Sequence, residues 1–255
     1  LNNSGEVLAL KKGSTVFDRT PTVVSCGTWC GGDNSGSYPT MERYDFEASG
    51  ENTANWSSFA GVLANSKNAD NANIAGTPGK RNSINYFMDV GGSSLTSSKT
   101  IKKSNSPYII TSTEFTVSNG ATMNVEPGVV IKFYNTSSFL KINGALNAQG
   151  TSAEPIVFTS FKDDAYGGDT NADGSATSPA AGDWGSIKIL ANNSTLDRTV
   201  IKYGGYKDGF ANAWANLRVE GAQATLKNST IQKSGAYGVW FKNAFGTIDA
   251  NTIQE

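Results

Sequence analysis

Apolar positions in the last third of the chain return on a fixed template. Ile187 and Ile189 are followed by Leu196 and Ile201, Leu217 and Val219 by Leu226 and Ile231, and Val239 and Phe241 by Ile248 and Ile253. In each copy nine residues separate the first apolar position from the third, and five more lead to the fourth. The copies themselves begin thirty and then twenty-two residues apart. Constant inner spacing with variable length between copies predicts a solenoid whose loops leave at one set corner. Within Ile187-Lys188-Ile189, Leu217-Arg218-Val219 and Val239-Trp240-Phe241 apolar and polar residues alternate, which is the period of a strand. A unit of about 22 residues holding two or three short strands fits one turn of a parallel β-helix.

The outward positions agree with that register. Asp197, Lys227 and Asp249 each follow an inward aliphatic, so successive turns set opposite charges about 4.8 Å apart. Glu220 faces Lys242 in a second column. A third runs Lys188, Arg218, Trp240, where the last two are placed for a cation–π contact.

Upstream, Gly120–Phe133 reads as one coil with a Pro127-Gly128 corner, and Leu140 to Ser160 as the next. With Gly182-Asp183-Trp184-Gly185, these coils resemble the right-handed β-helix repeats of secreted bacterial surface proteins. The resemblance covers 106–255 and implies an extracellular or cell-surface location without a defined activity. Residues 86–105, rich in Ser, Gly and Lys, read as a linker leading into a cap. The chain stops inside a repeat, so a further coil, a cap or a stacked partner is expected beyond Glu255, and a filament subunit is one reading.

Residues 1–85 have another texture. Glu6–Leu10 and Ser14–Asp18 read as paired strands around Lys11-Lys12-Gly13, and a small all-β sandwich is the physical reading. The opening Leu1-Asn2-Asn3-Ser4-Gly5-Glu6, the run Met41-Glu42-Arg43, Asn55-Trp56 and Gly76-Thr77-Pro78-Gly79 resemble the later part of a bacterial lamin-tail domain. That resemblance implies an immunoglobulin-like fold in an exported or surface-attached protein, with the first strands supplied from elsewhere in the same protein or by another chain. The fold class expected for the whole is all-β, a partial sandwich followed by a right-handed parallel β-helix.

Composition narrows the chemistry. The 255 residues carry 21 basic and 22 acidic side chains, so no basic footprint points to nucleic acid. No apolar run approaches the roughly 18 residues of a membrane span. The chain opens at Leu1 without a signal peptide, as a processed or partial chain would. Histidine is absent, which removes Ser-His-Asp and Cys-His arrangements and imidazole zinc sites. Cys26 and Cys30 read as a local disulfide.

Two insertions break the coil rhythm, Phe161–Asp183 and Tyr203 to about Asn216. If Ile156–Phe158 takes the strand position of Val200–Ile201, both leave the same corner on adjacent coils and set an acidic loop beside an aromatic one. Asp169-x-Asn171-x-Asp173-Gly174 offers oxygen ligands at alternate positions with Gly at the tight turn, and resembles the first half of an EF-hand or dockerin-type calcium loop. Ala180 stands where such a loop has its closing Glu, so Asp163, Asp164 or Asp183 must complete the shell. Otherwise these side chains only close turns on their own backbone. Tyr166, Tyr206, Phe210 and Trp214 are candidate stacking surfaces for a glycan or a protein partner, or else pack their own loops. An acid/base pair on a glycosidic bond, as in a lyase or hydrolase, is the catalytic alternative; the exposed columns show no acidic cluster to support it. A non-catalytic extracellular structural or adhesive role is the expected function.

Overall fold

Short alternating runs punctuated by Gly, Asn and Asp cannot bury a core within one strand pair, and the chain meets that need in two ways. The computed structural model describes residues 6–32, 39–43, 49–59, 75–77, 82, 93–171, 173–206 and 214–254. It divides into two compact units, Leu1–Tyr86 and Phe87–Glu255.

In the first unit Ala9–Lys12 and Thr15–Arg19 form an antiparallel hairpin about Gly13, whose φ of 61° suits the turn. Val23–Cys26 makes one helical turn, and Cys26 and Cys30 are joined by a disulfide with their Cα atoms 5.3 Å apart. Met41–Arg43 pairs antiparallel with Trp56–Ser58. Asp18 links the two ladders: it takes the Arg43 guanidinium and the Gly50 N–H (3.0 Å), and these bonds hold its carboxyl below the usual range. The described residues thus contain two two-stranded sheets, and no facing pair of larger sheets is present among them.

The second unit is a parallel β-helix with three six-stranded sheets, each rung giving one strand to each sheet. The rungs run Ser94–Leu95, Lys99–Ile101, Tyr108–Ile110; then Glu114–Val117, Thr122–Val125, Val130–Phe133; then Phe139–Ile142, Ala145–Gln149, Ile156–Ser160. Ile187–Ile189, Ser194–Asp197, Thr199–Lys202 make the fourth, Ala215–Glu220, Gln223–Lys227, Thr230–Gln232 the fifth, and Tyr237–Lys242, Phe245–Asp249, Thr252–Ile253 the last. Two strands of the first rung lie in the stretch read as linker and cap. Ser94–Leu95 pairs with the second rung at Thr116–Val117 and Lys99–Ile101 at Met123–Val125, so the sheets begin before Ser106.

Parallel pairing stacks like on like. In the second sheet Ile101, Val125, Ala148, Leu196, Leu226 and Ile248 lie in one file, and the first five are buried. Each fully buried aliphatic of this kind contributes about 1.5–3 kcal/mol of transfer free energy. The sharp bends between second and third sheets repeat as well. Arg198, Asn228 and Ala250 occupy them with φ of 50°, 48° and 53°, so corners as well as strands are stacked. The charge column Asp197, Lys227, Asp249 is in register, but Asp197 is held by Arg198 at 3.2 Å and Asn228 at 2.9 Å. Arg218 lies 5.1 Å from the ring centre of Trp240, as its column predicts.

Candidate metal centre

The third sheet carries the site because its outward face is covered. Val157 pairs with Val200 and Phe158 with Ile201, so the strands before the two insertions are neighbours, and both insertions leave at the corner between third and first sheets. The longer one returns through Trp184. Its ring stacks on Phe133 with centroids 3.9 Å apart and planes 4° apart, and its Nε1 donates to the Lys202 carbonyl at 2.9 Å. Gly185 follows because a Cβ there would sit 2.3 Å from the Phe139 ring.

Beneath the insertion the alternation of the strands no longer separates inside from outside. Ile109, Lys132 and Thr159 form an outward column, and all three are fully buried. The Lys132 ammonium donates to the Gly168 carbonyl (2.7 Å) and to Thr170 Oγ1 (2.9 Å), pinning the loop to the sheet. Burial lowers its pKa to about 8, against the pull of Asp164, Asp163 and Asp169. On the next rung Lys202 lies 3.4 Å from Asp163, between the rings of Tyr166 (4.8 Å) and Tyr203 (4.7 Å). Nothing in the sequence pattern marks Lys132; its position reads as an ordinary outward lysine until the insertion is laid over it.

The acidic residues separate into two groups. Asp163 is spent on Lys202 and on the Thr159 hydroxyl (2.6 Å). Asp183 is spent on Lys162 (2.9 Å), Ser160 Oγ (2.7 Å) and the Ala180 N–H (2.9 Å). Both were expected as possible ligands, and both instead clamp the insertion. Asp164, Asp169 and Asp173 come together, each offering a carboxylate oxygen within 4.8 Å of the others. Asp169 also accepts the N–H groups of Asp173 (3.2 Å) and Gly174 (2.8 Å), which closes the turn. Asn171 donates its amide to Asp173 Oδ2 at 2.8 Å, leaving its carbonyl oxygen for another use.

The unused atoms are all acceptors. Asp164 Oδ1, Asn171 Oδ1 and Asp173 Oδ1 lie out of solvent with no hydrogen-bond partner among the described residues. Burial, then the neighbouring Asp169, raises the pKa of Asp164. A set of hard oxygen acceptors fits a divalent cation of the calcium type, and Asp164 adds a third carboxylate to a loop that lacks its closing Glu. Zinc is a poorer fit, since no His or Cys belongs to the group.

Among the described residues no ring contact joins Tyr166, Tyr206 and Trp214. Tyr166 is half-buried over Lys202, and Tyr206 donates its backbone N–H to the Trp184 carbonyl at 3.0 Å. Trp214 packs on Phe139 of the first sheet, with centroids 5.5 Å apart, and Phe210 lies outside the described residues.

Residues 93–225 match the family described as pectate-lyase like beta helix domain. Protein bark beetle of Drosophila melanogaster is 38% identical over 84 residues, which is 33% of this chain and 3% of that protein. The chain therefore spans only a small fraction of that relative's length. No solved structure matches.

Proposed function

The chain belongs to the pectate-lyase-like β-helix family, and we propose that it works as a non-catalytic structural and adhesive module of an extracellular or surface-attached protein, its long insertion stapled by calcium. This family fits either a structural role or polysaccharide degradation, so the choice rests on the chemistry of the insertion. One observation carries it: two of the acid and base groups gathered there, Lys132 and Asp163, are spent on the protein itself. Lys132 is 0% exposed with its ammonium already bonded twice, and Asp163 is 2% exposed in a pair with Lys202. A general base must reach its substrate within hydrogen-bond distance, and these do not. What remains open, Asp164, Asp169, Asn171 and Asp173, is a ligand set for an ion. When bound, calcium would offset two of the three carboxylate charges and fix the loop; the chain's own part is to hold those oxygens close together beforehand.

In the same reading the first unit is a lamin-tail-like, immunoglobulin-type sandwich of a secreted bacterial protein, and a glycan or surface protein is the partner. The test has two arms. Calcium is expected to raise the melting temperature of the wild-type chain, and the rise is expected to vanish in Asp169→Asn and Asp164→Asn variants; an unchanged melt with and without chelator removes the staple. The second arm follows reducing ends and unsaturated products over a panel of acidic and neutral polysaccharides with calcium present. Turnover of any of them by the wild-type chain would replace this reading with the enzymatic one.

A further inference from the structure

One ion pair under the long insertion differs from the rest. Lys202 Nζ lies 3.4 Å from Asp163 Oδ2, with the lysine side chain 10% exposed and the aspartate 3%. Every other ion pair among the described residues has at least one side chain more exposed than either of these. Hydration supports those charges, while a buried pair keeps little beyond its mutual attraction. The pair is also held still. Asp163 sits at the end of a turn closed by its N–H on the Ser160 carbonyl (3.1 Å), and its Oδ2 accepts the Thr159 hydroxyl at 2.6 Å. Lys202 follows Ile201, the register partner of Phe158, so its strand position is beside Thr159. The ring centres of Tyr166 and Tyr203 lie 4.8 and 4.7 Å from its ammonium and wall it off.

Such a pair has a neutral alternative. An ammonium and a carboxylate condense to an amide: the Nζ–Cγ bond forms, one Cγ–O bond breaks, and that oxygen leaves as water. Two of the three ammonium protons go with the water and the third stays on the amide nitrogen. Atoms and charge then balance with no further reagent. In open water the reaction runs toward hydrolysis, because both ions are well solvated. Burial takes that solvation away, and the amide removes two charges from a dry place. Holding amine and carboxyl in contact is worth an effective concentration of roughly 10⁵–10⁸ M in well-oriented cases. The oxygen charge that develops during attack has its stabilisers in place: the Thr159 hydroxyl, and the positive charge of Lys132, whose register partner is Thr159.

We propose that Lys202 and Asp163 are the site of a self-made amide cross-link, an isopeptide bond tying the start of the insertion to the fourth rung. It goes beyond the calcium staple, needs no metal, and stands or falls separately from the adhesive reading. The bond closes residues 163–202 into a covalent ring that contains Trp184 and the whole of the fourth rung. Force pulled along the chain passes through the bond and bypasses that ring.

The experiment is intact-mass spectrometry of the whole chain after days at neutral pH with chelator present, with a cooperative melt as proof of folding. The wild type is expected to be lighter than its sequence by one water, beyond the two hydrogens of the Cys26–Cys30 disulfide. Trypsin is expected to yield a branched peptide that joins 163–198 to 199–207 and stays uncut after Lys202. Lys202→Arg keeps the charge but not the condensable amine, and is expected at full sequence mass with a lower melting temperature. A folded wild type at full sequence mass overturns the cross-link, and so does the same mass loss in Lys202→Arg. A lost water that maps to Asp173-Gly174, where ring closure on the backbone gives the same mass, overturns it as well.

Discussion

Two outward lysine columns on one solenoid meet opposite fates. On the third sheet Lys132 sits between Ile109 and Thr159, wholly buried and bonded to the loop above it. On the first sheet Lys188 sits between Lys141 and Arg218, only half-buried and with no carboxylate beside it among the described residues. The strand geometry is the same, and so is the alternation that turns each lysine outward. The difference lies in the cover: residues between Ser160 and Ile187 fold back over the third sheet, anchored by Trp184 on Phe133. A rung decides which way a side chain points, and an insertion decides whether it meets water. The same residue type thus becomes an internal tether on one face and a surface charge on another.

Breaking the tether should have the largest effect. Lys132→Met keeps the length and apolar stem but leaves the Gly168 carbonyl without its donor, and removes the cation that faces Asp164, Asp163 and Asp169. Removing one partner of a buried charged network costs about 3 kcal/mol. Urea unfolding should show that loss, and limited proteolysis should cut first within 161–186. A loss under about 1 kcal/mol, in the range of ordinary surface substitutions, would mean that the two columns are energetically alike and that burial of Lys132 is incidental.

The contrast between the columns also marks the limit of what could be read without coordinates. The stacked file through Leu196, Leu226 and Ile248 was legible because both its inward spacing and its outward charges repeat. The common exit corner of the two insertions was legible as well, since it follows from aligning Val157 with Val200. The turn that brings Asp169 and Asp173 together was legible in Asp169, Asn171 and Asp173, which carry a local pattern. That Asp164 joins them while Asp163 and Asp183 lie elsewhere was not, because that depends on which carboxylates the sheet-borne lysines and hydroxyls capture first. Lys132 was missed for the same reason: its partners are reached across the loop, and no spacing encodes them. The earliest rung escaped because Ser94–Leu95 and Lys99–Ile101 are too short and polar to show a strand period alone.

A smaller, graded effect follows from the same buried lysine. Its pKa is lowered from 10.5 to about 8 by burial, so between those values the unfolded chain holds a proton that the folded chain has released. Stability therefore rises with pH across that window and sits at its lower level below about pH 8, by about 1–3 kcal/mol in all. The measurement is the difference in unfolding free energy between wild type and Lys132→Met from pH 7 to about 10.5. A flat difference would show that Lys132 titrates as a solvated lysine, and the two columns would then differ in accessibility but not in environment.

The smallest effect belongs to the open column and has the opposite sign. Lys188→Met removes a charge set between two others of its kind, with no carboxylate partner among the described residues left unpaired. The expected change is a gain of a few tenths of a kcal/mol, within the roughly 0.2–1 kcal/mol of a cross-strand like-charge pair. Added salt should erase it, because half-exposed charges are screened where buried ones are not. Chemical unfolding at low and high ionic strength reads both features at once. A loss of stability that persists in salt would mean that Lys188 is tied down in the free protein, as Lys132 is. The column would then be a second internal tether, and the contrast between the two sheets would be one of exposure alone.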